Sequence, residues 1–300
     1  MRILHIDAGR EMRGGQRQVL LLLSGLREAG HECHLLARPG APLWSAADLA
    51  GFTVRPATFR NVWLESNRAD ITHAHDAHAH SLAALGVRKA FVVSRRVAFP
   101  VSRSLASRWK YGRPARFLAV SQFVAGELEQ AGVPPEKIDV VFDGVEPVTT
   151  VTEWRADFPA VALASCDPQK GRDLVEQAVQ AAQVPVVYSN DLAHDLERAS
   201  VFVYITRSEG LGSAALLAMS MGVPVIASRM GGLPETIRQG ETGILVENDP
   251  PEIARALRKL LKDPALAHAL IEQAKRQIET CFSQRHLVEG TLASYRRAIG

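Results

Sequence analysis

Several features are scarce in this 300-residue sequence, and each absence excludes a class of protein. Cys33, Cys166 and Cys281 are the only cysteines and form no CxxC pair, which argues against a disulfide framework and a structural zinc site. No apolar run reaches the length of a membrane span, and the first residues, MRILHIDAG, have the pattern of a strand and not of a signal peptide. We therefore expect a cytoplasmic protein.

A strong net charge is also lacking. The formal charge of +3 is too small to indicate nucleic-acid binding, and no recognition module accompanies the basic residues. The first strand-helix turn has no GxGxxG, so the dinucleotide fingerprint is absent. A hydrophobic content of 47% with 22% charged residues is typical of a globular chain with a sizeable core.

One long span, from Ala77 to Gly126, contains no acidic residue but many basic ones, with Phe99, Trp109 and Tyr111 between them. Such a basic patch suits an anionic membrane surface or an anionic glycan or lipid-linked acceptor. An ordinary solvated basic face is the alternative interpretation. The predicted patch comprises Arg95, Arg96, Arg103, Arg108 and Lys110.

Short apolar strands alternate with helical patterns along most of the chain, which predicts parallel sheets covered by helices. The alternation stops between Asp143 and Ala160, where Gly144, Pro147 and Pro159 indicate a linker. We expect one α/β domain over residues 1–146, a second over 147–283, and a C-terminal helix over 284–300.

The stretch from Val201 to Gly232 is the most informative one. An apolar run, a loop with Gly210 and Gly212, a helix over Ala214 to Met221 and a second apolar run predict a βαβ unit. Ser213 is the predicted cap of that helix. Backbone N–H groups at such a helix start can hold an anion, so the loop is a candidate phosphate site. A tight turn without a ligand is the alternative.

The histidine string His73-Ala-His75-Asp76-Ala-His78-Ala-His80 is unusual. On a strand, His73 and His75 share one face and could ligate a metal, although Asp76 is misplaced for a metallo-hydrolase motif. Surface or capping histidines are the other interpretation. It fits His78 and His80 better than His75.

The residue order from Ser208 to Gly212, then Ala218-Met219 with Gly222-Val223-Pro224, then Gly231, Gly232 and Glu235 resembles the donor site of family 4 glycosyltransferases. That resemblance implies the GT-B fold: two Rossmann-like parallel-sheet domains facing a cleft, with the C-terminal helix crossing back to the first domain. Leu217 replaces the family's second glutamate and Ser165 replaces an expected arginine. The chain therefore resembles a short variant with a degenerate donor motif.

The resemblance also implies roles for particular residues. His75 corresponds to a catalytic histidine near the transferred sugar, and Lys170 suits a diphosphate leaving group that is stabilised without a metal. The implied donor-binding residues are Gly14, Gly15, Lys170, Glu209, Gly210, Leu211, Gly212 and Ser213.

The implied function is a retaining, metal-independent hexosyltransferase of polysaccharide or lipopolysaccharide biosynthesis. It would move a sugar from a nucleotide sugar, with no other cofactor, to an envelope glycan or lipid-linked acceptor at the inner face of the membrane. Two alternatives remain: a GT-B-like binding protein that has lost catalysis, and a zinc hydrolase built on the His73 to His80 string.

Overall fold

The structure, a computed structural model, describes residues 1–102, 104–146 and 153–300. The chain divides into two compact units. Unit 1 contains Met1–Gly144 and Gln284–Gly300, and unit 2 contains Val145–Ser283. The division after Gly144 lies two residues before the predicted boundary, and the centre of the predicted linker, 147–152, is outside the described residues. The final segment belongs to unit 1, which is where the resemblance assigns it.

Unit 1 contains a parallel sheet with the strand order β3-β2-β1-β4-β5-β6-β7. The middle strands of this sheet are almost completely buried, because helices cover both faces of a parallel sheet, whereas the edge strand over Thr53–Pro56 has no buried residue. The strands are β1 (Arg2–Asp7), β2 (Glu32–Ala37), β3 (Thr53–Pro56), β4 (Ile71–Ala74), β5 (Phe91–Arg95), β6 (Arg116–Ala119) and β7 (Ile138–Val140).

The helices of unit 1 connect these strands, and the last one closes the unit. They are α1 (Gly14–Glu28), α2 (Pro42–Leu49), α3 (Phe59–Arg68), α4 (Ala77–Gly86), α5 (Leu105–Gly112), α6 (Gln122–Gln130) and α13 (Gln284–Ile299). Ser121 accepts a hydrogen bond from the N–H of Val124 and caps α6. Helix α13 packs on α1, where Gly25 leaves room for Val288.

Unit 2 has a second parallel sheet, with the strand order β12-β11-β10-β8-β9. Its strands are β8 (Ala160–Leu163), β9 (Val186–Ser189), β10 (Val201–Tyr204), β11 (Val225–Ser228) and β12 (Ile244–Val246). Its helices are α7 (Arg172–Ala182), α8 (Leu192–Leu196), α9 (Ser213–Ser220), α10 (Leu233–Thr236), α11 (Pro250–Lys262) and α12 (Pro264–Cys281). Short 3-10 turns cover Pro135–Lys137 and Pro168–Lys170.

The helices of unit 1 begin where local groups favour a helix start. Helix α2 begins at Pro42, because proline fits the first turn of a helix. Helix α4 begins at Ala77, because the Asp76 carboxylate accepts the N–H groups of His78 and Ala79. Helix α5 begins at Leu105, after the N-cap Ser104, and each of its residues is at least partly exposed.

Candidate active site

Each sheet has one point where the strand order reverses, and ligands of open α/β sheets bind outside the carboxyl ends of the strands at such points. In unit 1 the reversal lies between β1 and β4, and in unit 2 it lies between β8 and β10. The predicted site residues follow these strands: His75 follows β4, Lys170 follows β8 and Glu209 follows β10.

The glycine-rich loop of unit 2 leads directly into α9. Gly212 is the N-cap of this helix, with φ of 105° and ψ of 56°, a left-handed conformation that favours glycine. Ser213 is the first helical residue, so the predicted cap was one residue too late. The first N–H groups of α9 have no intrahelical acceptors, which suits this helix start for an anion.

Gly231 and Gly232 pack directly against the backbone of the glycine-rich loop. A Cβ atom on Gly231 would lie under 3.0 Å from the carbonyl oxygen of Glu209, and one on Gly232 equally close to that of Gly210. The N–H of Gly232 donates to the Glu209 carbonyl at 3.1 Å. Only glycine lets these two backbone segments come so close.

The carboxylate of Glu209 is surrounded by donors. Its Oε2 atom accepts from Lys170 Nζ at 2.9 Å and from the hydroxyl of Tyr204, and its Oε1 accepts from the N–H of Gly210 at 3.1 Å. The left-handed Gly171 follows Lys170 and packs against Ile205. The structure therefore brings Lys170 and Glu209 together from opposite sides of the strand-order reversal.

The two departures from the family motif both lie in unit 2. Ser165 follows β8, and its hydroxyl accepts the N–H of Asp167 at 3.2 Å. Leu217 is half-buried in the middle of α9. Arg207, a nearby cation, forms two hydrogen bonds with Asp173.

In unit 1 the predicted His75 lies within a buried histidine cluster. His5 pairs with His73 across β1 and β4. His5 Nδ1 lies 2.9 Å from His75 Nε2, while His73 hydrogen bonds with Tyr295 Oη at 2.7 Å and Ser94 Oγ at 2.8 Å. The sequence analysis missed His5, although its position on the neighbouring strand β1 was a usable signal.

Burial keeps these histidines neutral. It lowers the pKa of His5 to about 3 and that of His75 well below its usual value, with smaller contributions to His75 from His73, His5 and Arg96. Arg96 can only donate, and its Nη1 lies 3.4 Å from His75 Nδ1. We therefore assign the proton of His75 to Nε2, from which it is donated to His5.

The remaining histidines of the string lie elsewhere. His78 is exposed in the first turn of α4, and His80 Nε2 lies 3.1 Å from the carbonyl oxygen of Lys110. Burial lowers the pKa of His80 to about 3. The metal-capable group in the described residues is His5, His73 and His75, whose ligand atoms lie within 4.8 Å of one another. His73 and His75 therefore lie in one cluster with His5, and His78 and His80 lie outside it. The string on which the zinc hydrolase alternative rests does not form a single group of ligands.

Gly14 and Gly15 are part of α1 and do not precede it, because the helix begins at Gly14. Arg96 approaches this helix start, since a Cβ on Gly15 would lie 4.0 Å from its Cδ. Asp7, at the end of β1, accepts hydrogen bonds from the N–H of Gly9 and from Gln16 Nε2. Burial raises the pKa of Asp7, and the neighbouring Asp76 raises it further.

The predicted basic patch is only partly a surface feature. Arg96 is 13% exposed and pairs with Asp143 at 2.9 Å, so most of its side chain is withdrawn from solvent. Lys110 Nζ donates to the Ala77 carbonyl and to Ser81 Oγ. Arg95 donates to Tyr111 Oη at 3.0 Å, Arg108 is exposed, and Arg103 is outside the described residues. None of the helices in the described ranges is long and apolar enough to span a membrane.

Sequence comparison identifies two glycosyltransferase regions. Residues 12–148 match the family described as Glycosyltransferase Family 4, and residues 169–277 match Glycosyl transferases group 1. A D-inositol 3-phosphate glycosyltransferase of Rhodococcus opacus is 43% identical over 110 residues, 36% of this chain and 24% of that protein. One of Mycolicibacterium paratuberculosis is 32% identical over 185 residues, 56% of this chain and 42% of that protein. The matches thus span less than half of either relative.

Solved structures show the same fold at low identity. Anabaena Alr3699/HepE in complex with UDP and glucose has a TM-score of 0.85 and 15% identity, with 99% of each chain covered. A glycosyltransferase from Rickettsia africae has a TM-score of 0.81 and 18% identity, with 99% of this chain and 98% of that one covered. The family matches, the motif from Ser208 to Gly212 and the two parallel-sheet units agree: this chain belongs to the family 4 glycosyltransferases and has the GT-B fold.

Proposed function

We propose that this protein is a retaining glycosyltransferase that moves a sugar from a nucleoside diphosphate to an acceptor, with no metal cofactor. The observation that carries the proposal is the group formed by Lys170, Glu209 and the Gly210 to Ser213 loop at the strand-order reversal of unit 2. It combines a cation, a carboxylate and the amino end of an eight-residue helix.

These groups suit the chemistry of a diphosphate leaving group. Breaking the bond between sugar and phosphate leaves negative charge on the diphosphate, which a fixed cation and backbone N–H groups stabilise. Lys170 supplies the cation and α9 supplies the N–H groups. Glu209 is left to accept hydrogen bonds from sugar hydroxyls. The related HepE structures hold UDP, or UDP-glucose, so a uridine donor is the first to test.

His75 is the proposed catalytic residue near the transferred sugar. It is neutral, and the hydrogen bonds from Arg96 and to His5 fix its ring. Gly14 and Gly15, at the start of α1, are the donor contacts proposed for unit 1, where the amino end of a fifteen-residue helix suits a phosphate.

The proposed acceptor is an anionic glycan or a lipid-linked acceptor of envelope or lipopolysaccharide synthesis, reached by peripheral binding to the inner face of the membrane. The exposed Arg108 on α5 supports this placement, with Leu105 83% exposed and Trp109 52% exposed on the same helix. Relatives named for D-inositol 3-phosphate and a structural neighbour named for the lipopolysaccharide outer core are consistent with an anionic acceptor.

Calorimetric titration with UDP, GDP, ADP, CDP and dTDP tests the donor site, and release of the nucleotide from the matching sugar donors tests transfer. We expect one diphosphate to bind and its sugar donor to be turned over. No heat from any of the five on folded protein would contradict the proposal.

Binding without turnover, with acceptors present, would favour the inactive binding protein that Ser165 and Leu217 suggest. Stoichiometric zinc that His75→Ala removes would favour the hydrolase.

A further inference from the structure

Tyr204 has a buried hydroxyl group at the donor loop. It is the last residue of β10, its ring stacks on Phe202 at 5.4 Å, and a Cβ on Gly212 would lie 3.5 Å from it. The side chain is therefore packed under the glycine-rich loop. Burial raises the pKa of Tyr204 well above its usual value, and the Glu209 charge raises it further. The phenol thus stays protonated, and it donates a hydrogen bond to the Glu209 carboxylate.

Glu209 Oε2 has two donors, Tyr204 and Lys170. The Glu209 side chain is 16% exposed, so water only partly replaces a donor that leaves. Under the proposed function Lys170 turns toward a diphosphate, and Oε2 then loses its cation while negative charge arrives nearby. The free energy needed to move Lys170 away from Glu209 therefore depends on the other groups that donate hydrogen bonds to the Glu209 carboxylate.

We propose that Tyr204 is a positioning residue that holds the Glu209 carboxylate while Lys170 changes partner from Glu209 to the diphosphate. This inference rests on the proposed function. Lys170 lies in the 3-10 turn after β8, on the other side of the reversal from Tyr204 and Glu209. Its Nζ contacts the Glu209 carboxylate and lies 5.7 Å from the centre of the Tyr204 ring, so the three side chains form a switch within unit 2. In the free protein Lys170 pairs with Glu209. In the bound protein Lys170 contacts the diphosphate, and the Tyr204 hydroxyl and the Gly210 N–H hold the Glu209 carboxylate in place.

A double-mutant cycle on diphosphate affinity tests the switch, using the member of the five-nucleotide panel that binds best. Tyr204→Phe removes only the hydroxyl and keeps the ring packing. We expect it to weaken binding by up to roughly tenfold, because the hydrogen bond is present in both states but stabilises the carboxylate more once Lys170 has left it. Glu209→Gln frees Lys170 from its ion pair, and we expect this variant to bind the diphosphate at least as tightly as the wild type. In that background Tyr204→Phe should have no further effect.

Tyr188→Phe is the matched control, because the Tyr188 hydroxyl is buried in unit 2 without a hydrogen-bond partner among the described residues. Unchanged diphosphate affinity in Tyr204→Phe would overturn the inference. An equal loss of affinity in the wild-type and Glu209→Gln backgrounds would also overturn it, because it would show that Tyr204 acts through packing alone. If Tyr204→Phe does not fold, weaker binding by Glu209→Gln alone overturns it. A wild type that binds no diphosphate contradicts the proposed function itself, whereas a wild type that binds with no coupling contradicts only the switch.

Discussion

His5 Nδ1 and His75 Nε2 lie 2.9 Å apart, and their rings stack with centroids separated by 5.2 Å. His5 lies on β1 and His75 follows β4, yet each depends on the other, because both are buried and His75 donates to His5. One ring nitrogen of the proposed catalytic histidine thus contacts His5 on β1. The other contacts Arg96, which pairs with Asp143.

His75→Ala should lower turnover far more than it lowers nucleotide affinity, because His75 belongs to unit 1 whereas the proposed phosphate-binding group of Lys170 and the α9 start belongs to unit 2. Steady-state kinetics and calorimetry on one preparation measure both. His78→Ala is the control, since His78 is exposed in α4. Complete loss of nucleotide binding in folded His75→Ala would argue against this placement.

The buried histidines should make stability fall as the pH drops below about 6.5, the pKa of an exposed histidine. The unfolded chain then takes up protons that folded His5 and His80, with pKa values of about 3, do not. Each group contributes a loss of about 2 kcal/mol between pH 6.5 and pH 5. Urea unfolding at several pH values measures this loss.

His80→Phe should make that pH dependence shallower by the contribution of one histidine, and a phenyl ring keeps contact with Tyr111 and Phe117. A His80→Phe variant with the slope of the wild type would contradict the assignment of a depressed pKa to His80.

Gly232→Ala should weaken diphosphate binding at least tenfold, because the new Cβ would collide with the Gly210 carbonyl and displace the loop. Gly232 has φ of −83° and ψ of −2°, which alanine also adopts, so backbone strain makes no contribution. Gly126→Ala in α6 is the control, since its Cβ would meet no atom of the described residues within 4 Å. Equal affinities in the two variants would show that the loop is not part of the site.

Leu217→Glu tests the degenerate motif. The resemblance places a ribose-binding glutamate here, and Leu217 is half-buried in α9, so a carboxylate can reach solvent. We expect nucleotide affinity to rise roughly ten- to a hundredfold, the value of one charge-assisted hydrogen bond. Leu217→Met is the control for side-chain shape.

Affinity and melting temperature are measured on the same sample. A large loss of stability would instead indicate a buried carboxylate without a partner, and therefore a nucleotide displaced from α9. If both values stay unchanged, Leu217 lies outside the site.

Helix α5 should bind vesicles that contain anionic lipid. Leu105 and Trp109 lie one helical turn apart and are exposed beside Arg108. Leu105→Glu should weaken sedimentation with vesicles at least tenfold, because burying a leucine contributes about 1.5–3 kcal/mol. Arg108→Ser should weaken it about fivefold, since a basic residue near the surface contributes about 1 kcal/mol.

Leu49→Glu is the control, because Leu49 is 92% exposed at the end of α2 and lies outside the acid-free span. Added salt should reduce the binding of the wild type. If Leu105→Glu sediments like Leu49→Glu, α5 is an ordinary solvated helix.

Much of the fold could be predicted from local pattern. The strand, loop and helix from Val201 to Ser220 were predicted within about one residue at each boundary, because apolar runs and glycines act on their own neighbours. Helix α5 and the start of α4 could not be predicted in this way. The first has no buried residue, so no core contact favours a helix there, and the second depends on a capping carboxylate.

The sequence by itself determined the residues of the donor loop and the alternation that builds two parallel sheets, since both depend on residue type and spacing along the chain. Tertiary structure decided which groups meet: His5 beside His75, Arg96 paired with Asp143 and not at the surface, and Tyr204 with Lys170 on Glu209. Parallel pairing brings together the ends of strands that are distant in sequence, and burial then fixes their charges and hydrogen bonds.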